Sequence, residues 1–188
     1  SFSYAENQVL KGFELHIPAG DRVALTGRSG VGKSSVAELL LRFREYKGSI
    51  RFGGRELRDY AADDLRSSIS ALPQKPHLFN STIRENIMVA NSEASAEELA
   101  NVLFDAVLDE WIAALPEGLD TRVGEEGGEI SGGEARRVAL ARILLKDAPF
   151  YILDEPTEGL DAATEKLLLA RIDKRLKGKS LLLITHRP

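Results

Sequence analysis

Arg22-Val23-Ala24-Leu25-Thr26-Gly27-Arg28-Ser29-Gly30-Val31-Gly32-Lys33-Ser34 runs from a strand-length apolar stretch through three glycines into the start of a helix. The helix is expected over residues 32–43, where Val36, Leu39, Leu40 and Phe43 share one face at helical spacing. A strand feeding a glycine loop that opens a helix is the arrangement a nucleoside triphosphate needs. Gly27, Gly30 and Gly32 remove side chains that would hold backbone amides away from an anion, and the helix N-terminus turns its partial positive charge toward it. Lys33 is placed to reach the β- and γ-phosphates and the Ser34 hydroxyl to ligate Mg2+. Arg28, Ser29, Val31 and Ser35 complete the candidate phosphate-binding set. The bland alternative is a glycine-rich turn before a helix.

Further along, Phe150-Tyr151-Ile152-Leu153-Asp154-Glu155-Pro156 reads as an apolar strand ending in two carboxylates. Asp154 is suited to act near Mg2+, and Glu155 to polarise a water for in-line attack on the γ-phosphorus. Acids that merely solvate a strand end are the competing reading, and the glycine loop favours the chemical one. Ahead of this strand, Ile130-Ser131-Gly132-Gly133-Glu134 opens a helix expected over residues 132–145. Ser131 and Glu134 have capping-box spacing. That box does not call for two consecutive glycines, each of which costs roughly 1 kcal/mol inside a helix. They point to a close backbone approach, which a phosphate at the helix head would explain.

The remaining pattern is α/β. Strands are expected over residues 13–17, 22–26, 49–52, 69–72, 150–153 and 180–185, and helices over 132–145 and 162–176. Residues 81–115 read as helical, with Ser95-Ala96-Glu97-Glu98 a capping box, and residues 120–128 as a glycine- and acid-rich loop. The closing alternation of helix and strand indicates a buried parallel sheet with a helical stretch inserted into it.

Bulk composition narrows the classes. At 188 residues, 43% hydrophobic and 29% charged, the chain can bury one ordinary globular domain. A net charge of -4 offers no electrostatic footprint for nucleic acid. Cysteine is absent, which removes disulfides and thiolate metal sites and fits a reducing compartment. No apolar run approaches the ~20 residues of a membrane span. The chain opens in a strand and stops just after another, so an excised piece of something longer is expected.

Taken together, these motifs resemble the nucleotide-binding domain of an ATP-binding-cassette (ABC) transporter, and the resemblance runs essentially from end to end. It implies a P-loop NTPase fold: a mostly parallel RecA-like core sheet with an N-terminal antiparallel β portion (residues 1–80 and 120–188) and an inserted α-helical subdomain (81–119), the signature helix at its border. It implies ATP and Mg2+ as ligands. Tyr4 in Phe2-Ser3-Tyr4 would lie against the adenine, where alone it would pass as a strand aromatic. Gln74 matches the lid glutamine that senses Mg2+ and water, otherwise an unremarked loop residue. Ser131, Gly132 and Gly133 match the signature that binds the ATP of a second domain. Asp161 resembles the residue that links the two sites, and is equally an N-cap for the helix that follows. His186 matches the switch histidine at the γ-phosphate. Catalysis is thereby implied for Glu155, His186, Lys33 and Gln74, and metal binding for Ser34, Gln74 and Asp154.

Two stretches resemble exporters in particular, Thr121-Arg122-Val123-Gly124-Glu125-Glu126-Gly127 and Leu78-Phe79-Asn80-Ser81-Thr82-Ile83-Arg84-Glu85-Asn86-Ile87. The implied partners are a second ABC ATPase domain, in a heterodimer or a homodimer, and transmembrane domains at the cytoplasmic face of the inner (plasma) membrane. Departures from the family pattern lie at Ile130 and Glu134 (usually Leu and Gln), Arg136 (usually Gln) and Glu158 (usually Ser). Together with Asp147-Ala148-Pro149 and Glu155-Pro156-Thr157-Glu158-Gly159-Leu160-Asp161, they most resemble the CydC type, one half of a heterodimeric glutathione and cysteine exporter needed for cytochrome bd assembly. Lipid, peptide or drug export is the alternative. Two other classes are weighed against an exporter. A non-transport ABC ATPase acting on DNA or ribosomes would carry long insertions between Lys33 and Asp154, which are absent. A non-hydrolysing regulatory module would not need Glu155 and His186.

Overall fold

The computed structural model describes residues 2–4, 7–28 and 30–186, with side chains excepted at 2–4, 7–9 and 126. Two compact units emerge. The first joins residues 1–73, 148–155 and 178–188, and the second joins 74–147 and 156–177. This division groups the helices of 132–145 and 162–175 with the 81–119 stretch, whereas the sequence suggests a core of residues 1–80 and 120–188 with the signature helix at the border of the helical subdomain.

The first unit is built on a four-stranded parallel sheet. Its members are β3 (Arg22–Thr26), β6 (Ile69–Leu72), β7 (Phe150–Asp154) and β8 (Ser180–Thr185), in the order β3-β8-β7-β6. Every residue of β7 is buried, as expected of a central strand covered on both faces. Two antiparallel pairs flank this sheet in sequence: β1 (Phe2–Tyr4) with β2 (Asn7–Leu10), and β4 (Arg51–Phe52) with β5 (Arg55–Glu56). The second pair turns at Gly53 and Gly54, both at positive φ (56° and 81°), the backbone that a two-residue hairpin loop requires. Helix α1 (Lys33–Leu40) packs on β7, and α2 (Ala62–Ser68) leads directly into β6. The unit's core gathers Val36, Leu39, Leu57, Leu65, Ile69, Phe150, Ile152, Leu182 and Ile184.

Two expectations are corrected here. Residues 13–17 form no strand; Phe13 and Leu15 stand 40% and 39% exposed, and Ile17 alone of the three packs against the core. Alternation marks a strand only when a neighbouring strand takes up its amides, and among the described residues none does. Helix α1 also stops three residues early. Arg42 turns left-handed (φ 56°), and the amides of Arg42 and Phe43 donate back to the carbonyls of Leu39 and Glu38, so Phe43 is swung out to 63% exposure instead of joining the core face.

The second unit is helical. It contains α3 (Ile83–Met88), α4 (Ala96–Asp105), α5 (Asp109–Ala113), α6 (Gly132–Leu145) and α7 (Ala162–Arg175). Helices α3 and α4 pack on α6, and α7 packs on α4. Burial on several faces makes α6 the unit's axis, with Val138, Leu140, Ala141 and Leu144 inaccessible. Capping boxes begin α3 (Thr82 with Glu85), α4 (Ser95 with Glu98) and α6 (Ser131 with Glu134). Among the described residues no helix is long and apolar enough to cross a membrane.

Candidate functional site

Register in the parallel sheet decides what meets in the first unit. Thr26 pairs with Thr185 and Asp154 with Ile184, so β3, β7 and β8 end together. Gly27, Glu155 and His186, each the next residue after its strand, therefore emerge at one carboxyl edge, the edge at which open α/β sheets bind ligands.

The glycine loop leads into α1 without a side-chain cap. Gly32 occupies the cap position at φ 97° and ψ 14°, where a residue with a Cβ would be strained. A Cβ placed on Gly30 (φ 81°) would meet nothing within 4 Å, so the loop is open above that residue. The Lys33 ammonium folds back along the loop and donates to the Gly27 and Arg28 carbonyls at 2.8 and 3.0 Å. Val31 and Ser34 are exposed, while Ser35 is buried at the first turn of α1. Ser29 and the Tyr4 side chain lie outside the described residues; the Tyr4 backbone belongs to β1.

At the end of β7, Asp154 is 3% and Glu155 6% exposed, a degree of burial that carboxylates reach only with partners. Glu155 adopts φ 50°, a left-handed conformation that costs a non-glycine residue about 1–2 kcal/mol. Its amide still donates to the Ile184 carbonyl at 2.9 Å, which anchors it to the sheet. One carboxylate oxygen lies 2.8 Å from Nδ1 of His186, and the other accepts from the Thr185 hydroxyl at 3.4 Å. His186 itself is half exposed. Strained backbone at the end of a buried strand thus holds a carboxylate against an accessible imidazole, and the pair is suited to accept a proton from a water at that edge.

Gln74, Ser131, Gly132, Gly133 and Asp161 belong to the second unit. At the head of α6, Ser131 Oγ accepts from the Glu134 amide at 3.3 Å, and the Glu134 carboxylate accepts from the Ser131 amide at 2.7 Å. The two glycines of this segment separate in role. A Cβ on Gly133 would lie 3.1 Å from Leu160 Cδ2 and 3.4 Å from the Gly159 carbonyl, so the chain's own packing accounts for that glycine. A Cβ on Gly132 would meet nothing within 4 Å, and only that position keeps the open approach expected of both. Asp161 caps α7, accepting from the Ala163 and Thr164 amides at 3.0 Å and from the Thr164 hydroxyl at 2.6 Å. These bonds, the Thr164 hydroxyl foremost, hold its carboxyl below the usual range.

Gln74 is exposed, and its carbonyl accepts from Arg136 Nη2 at 2.6 Å. The same nitrogen donates to Glu158 Oε2 at 2.8 Å. Two departures from the family pattern are therefore each other's partner. The opposite charges were visible in the sequence, but their pairing across 22 positions was not.

Within this unit the two exporter-like stretches lie side by side. Thr82 bridges Arg122, the Ile83 amide donates to the Thr121 carbonyl, and the Val123 amide donates to the Ser81 carbonyl, both at 3.0 Å. Arg84 pairs with Asp120 at 3.0 Å. Beneath them Asn86, fully buried, bonds the Phe79 amide and carbonyl. Arg142 reaches the Asn86 and His77 carbonyls at 2.7 and 2.9 Å. Phe79 is left 47% exposed on a loop that this polar network holds in place.

The residues present fit a magnesium nucleoside triphosphate. An uncapped helix head behind an open glycine loop suits the phosphates, and a hydroxyl with a carboxylate are hard oxygen donors of the kind Mg2+ takes.

Comparison with known proteins agrees. The family profile described as "ABC transporter" matches residues 10–158. The chain is 43% identical over 191 residues to the ATP-dependent lipid A-core flippase of Pectobacterium atrosepticum, covering all of this chain and 33% of that protein. It is 43% identical over 188 residues to the human mitochondrial iron-sulfur clusters transporter ABCB7, covering 99% of this chain and 25% of that protein. A solved bacterial Atm1-family ABC exporter with ATP bound superposes with a TM-score of 0.94 at 38% identity, over 99% of this chain and 33% of that one. The chain thus spans a quarter to a third of these relatives' length. None of the three is a glutathione or cysteine exporter by name, and the CydC-type specificity expected from residues 130, 134, 136 and 158 finds no support in them. A P-loop core of four parallel strands, a helical second unit and the profile match together identify the chain: it belongs to the ABC transporter family, as its nucleotide-binding ATPase domain.

Proposed function

We propose that this domain binds and hydrolyses ATP to power export across a membrane. The observation that carries the reading is the Glu155–His186 pair, held at 2.8 Å on the edge where the phosphate loop also begins. The amides of residues 27–34 and the Lys33 ammonium bind the triphosphate, and Tyr4 supports the adenine. Ser34 and Asp154 of the first unit would hold Mg2+, which when bound would neutralise charge on the phosphate oxygens. Glu155 accepts the proton of the attacking water, and His186 keeps that carboxylate oriented.

A second ATPase domain completes the site. Ser131 and the open amide side of Gly132 face its nucleotide, with Asp161 in the linking loop. One sequence carries both the phosphate loop and the signature, so two copies suffice and a heterodimer is not required. The paired 78–87 and 121–127 stretches serve as the seat for membrane segments, at the cytoplasmic face of the membrane. For cargo, a lipid is better supported than glutathione or cysteine, because the relatives named above include a lipid A-core flippase and none of those named is a thiol exporter. The thiol reading rests on residues 130, 134, 136 and 158 together with the 147–149 and 155–161 stretches.

Phosphate release from the full-length protein tests the reading. Glu155→Gln is expected to keep ATP binding while turnover falls by about 10²–10⁴-fold, the usual worth of a general base. Turnover at the wild-type rate in that variant overturns it. Stimulation of turnover by lipid but not by glutathione supports the cargo assignment, and the reverse restores the thiol exporter.

A further inference from the structure

We propose that Arg136 and Glu158 form a latch that positions the 157–161 loop and the Gln74 segment on the head of α6, which makes Arg136 a positioning residue for hydrolysis. The proposal rests on the ATPase reading above and adds to it a residue pair with a stated task.

The latch is read from five contacts within the second unit. Arg136 leaves α6 just beyond its capping box and is 8% exposed. One of its nitrogens reaches Gln74 O at 2.6 Å and Glu158 Oε2 at 2.8 Å, so a single planar guanidinium joins two loops to one helix. Immediately after Glu158, Gly159 and Leu160 press on Gly133, the position where a Cβ would be only 3.1 Å from Leu160. The loop is closed at its far end by the Asp161 cap on α7, and at its near end by Thr157 Oγ1, which donates to Glu165 at 2.8 Å. Thr157, Glu158, Leu160 and Asp161 are thus each tied down, and Glu158 is the tie that reaches α6 by charge.

Chemistry separates this latch from ordinary surface pairing. A Lys in place of Arg136 would offer a point charge rather than a fork, and exposed pairs are commonly worth little. Arg136 is instead nearly enclosed while Glu158 is half exposed, so removing Glu158 takes an acceptor from an enclosed guanidinium, and removing Arg136 takes the charged donor from Glu158 and from the Gln74 carbonyl. The positions joined, Gln74, the Ser131–Gly133 head and the Asp161 loop, are the three parts of the second unit that the ATPase reading assigns to nucleotide. A guanidinium common to all three keeps them in one geometry.

The test compares Arg136→Gln, Glu158→Ser and the double variant in the full-length protein. Each single change is expected to lower kcat on the order of tenfold with KM for ATP little altered, since the phosphate loop is untouched. The double variant, with two neutral polar residues facing each other, is expected to recover most of that loss. Hydrogen exchange of the amides of residues 157–161 should quicken in both single variants and slow again in the double. That second readout needs no turnover, so it still decides the latch if the wild-type protein proves inactive and the ATPase reading fails. Losses that simply multiply in the double variant, or unchanged exchange at residues 157–161 in the single variants, overturn the latch.

Discussion

The two helix heads that the sequence marks for phosphate are finished in opposite ways. Helix α1 begins at a left-handed Gly32 with no side-chain cap, whereas α6 begins at an extended Ser131 whose hydroxyl and partner carboxylate satisfy both ends of a capping box. Each helix starts with amides that need acceptors. In α6 the chain supplies acceptors itself, including a negative charge from Glu134 that complements the helix dipole. In α1 no side-chain cap supplies one, which suits a head turned toward a bound anion. The first head is built to be finished by a ligand. The second already carries a cap of its own and keeps an open side only at Gly132, which suits the auxiliary role proposed above, that of a surface offered to a partner's nucleotide.

The sharpest way to break this comparison is a ligand-induced stability shift. Bound ATP at 100 times its dissociation constant should stabilise the wild-type protein by about 2.7 kcal/mol. Lys33→Ala should abolish that shift, with affinity falling on the order of 10²-fold or more, because the ammonium on the Gly27 and Arg28 carbonyls contributes the loop's own positive charge. Ser131→Ala should leave the shift intact. Thermal unfolding with and without ATP measures both. Equal loss in the two variants would mean that the heads are not distinct.

Much of this contrast was legible before the structure. Strands β3, β6 and β8 and helix α6 appear residue for residue where the sequence places them, the strands as short apolar runs and the helix from the Ser131 turn that opens it. The carboxylate pair at the end of β7 and the histidine after β8 were readable as motif elements. What could not be read was anything set by distant neighbours. Gly132 and Gly133 look alike in sequence, yet Leu160 explains only the second. Residues 13–17 alternate like a strand without a ladder to join. Helix α2 was missed because its seven residues bury Leu65 alone and so carry no stripe. The positive φ of Glu155 has no sequence signal at all.

A smaller effect is expected at Glu134, where charge can be removed while the cap is kept. Glu134→Gln preserves an oxygen able to accept from the Ser131 amide at 2.7 Å, so stability should change by only a few tenths of a kcal/mol. Turnover by the assembled protein should nevertheless rise several-fold at low salt, because a carboxylate at the head of α6 opposes the phosphate that closure brings to it. The gain should shrink as ionic strength rises. Single-site turnover measured across a salt series checks this, and a variant slower than wild type at every salt concentration rejects the repulsion.

The smallest expected effect concerns the heads as pieces of structure. Ser131→Ala removes one capping bond to the Glu134 amide and should cost about 1 kcal/mol, read as a lowered denaturation midpoint at unchanged slope. Asp161 caps α7 by the same device, but its carboxyl titrates, and it is held below the ordinary range chiefly by the Thr164 hydroxyl. A lowered folded pKa means that the stabilisation is fully present above the ordinary carboxylate value of ~3.9 and is lost as pH falls through the folded value. Wild-type stability should therefore drop between about pH 4 and the acid limit by more than that of Asp161→Asn, whose cap does not ionise. Helix α1 has no side-chain cap to lose, so its stability in that range should depend on bound anion rather than on any side chain at its head. Parallel acid titrations of wild type, Ser131→Ala and Asp161→Asn, each with and without ATP, separate a helix finished by its own residues from one finished by ligand.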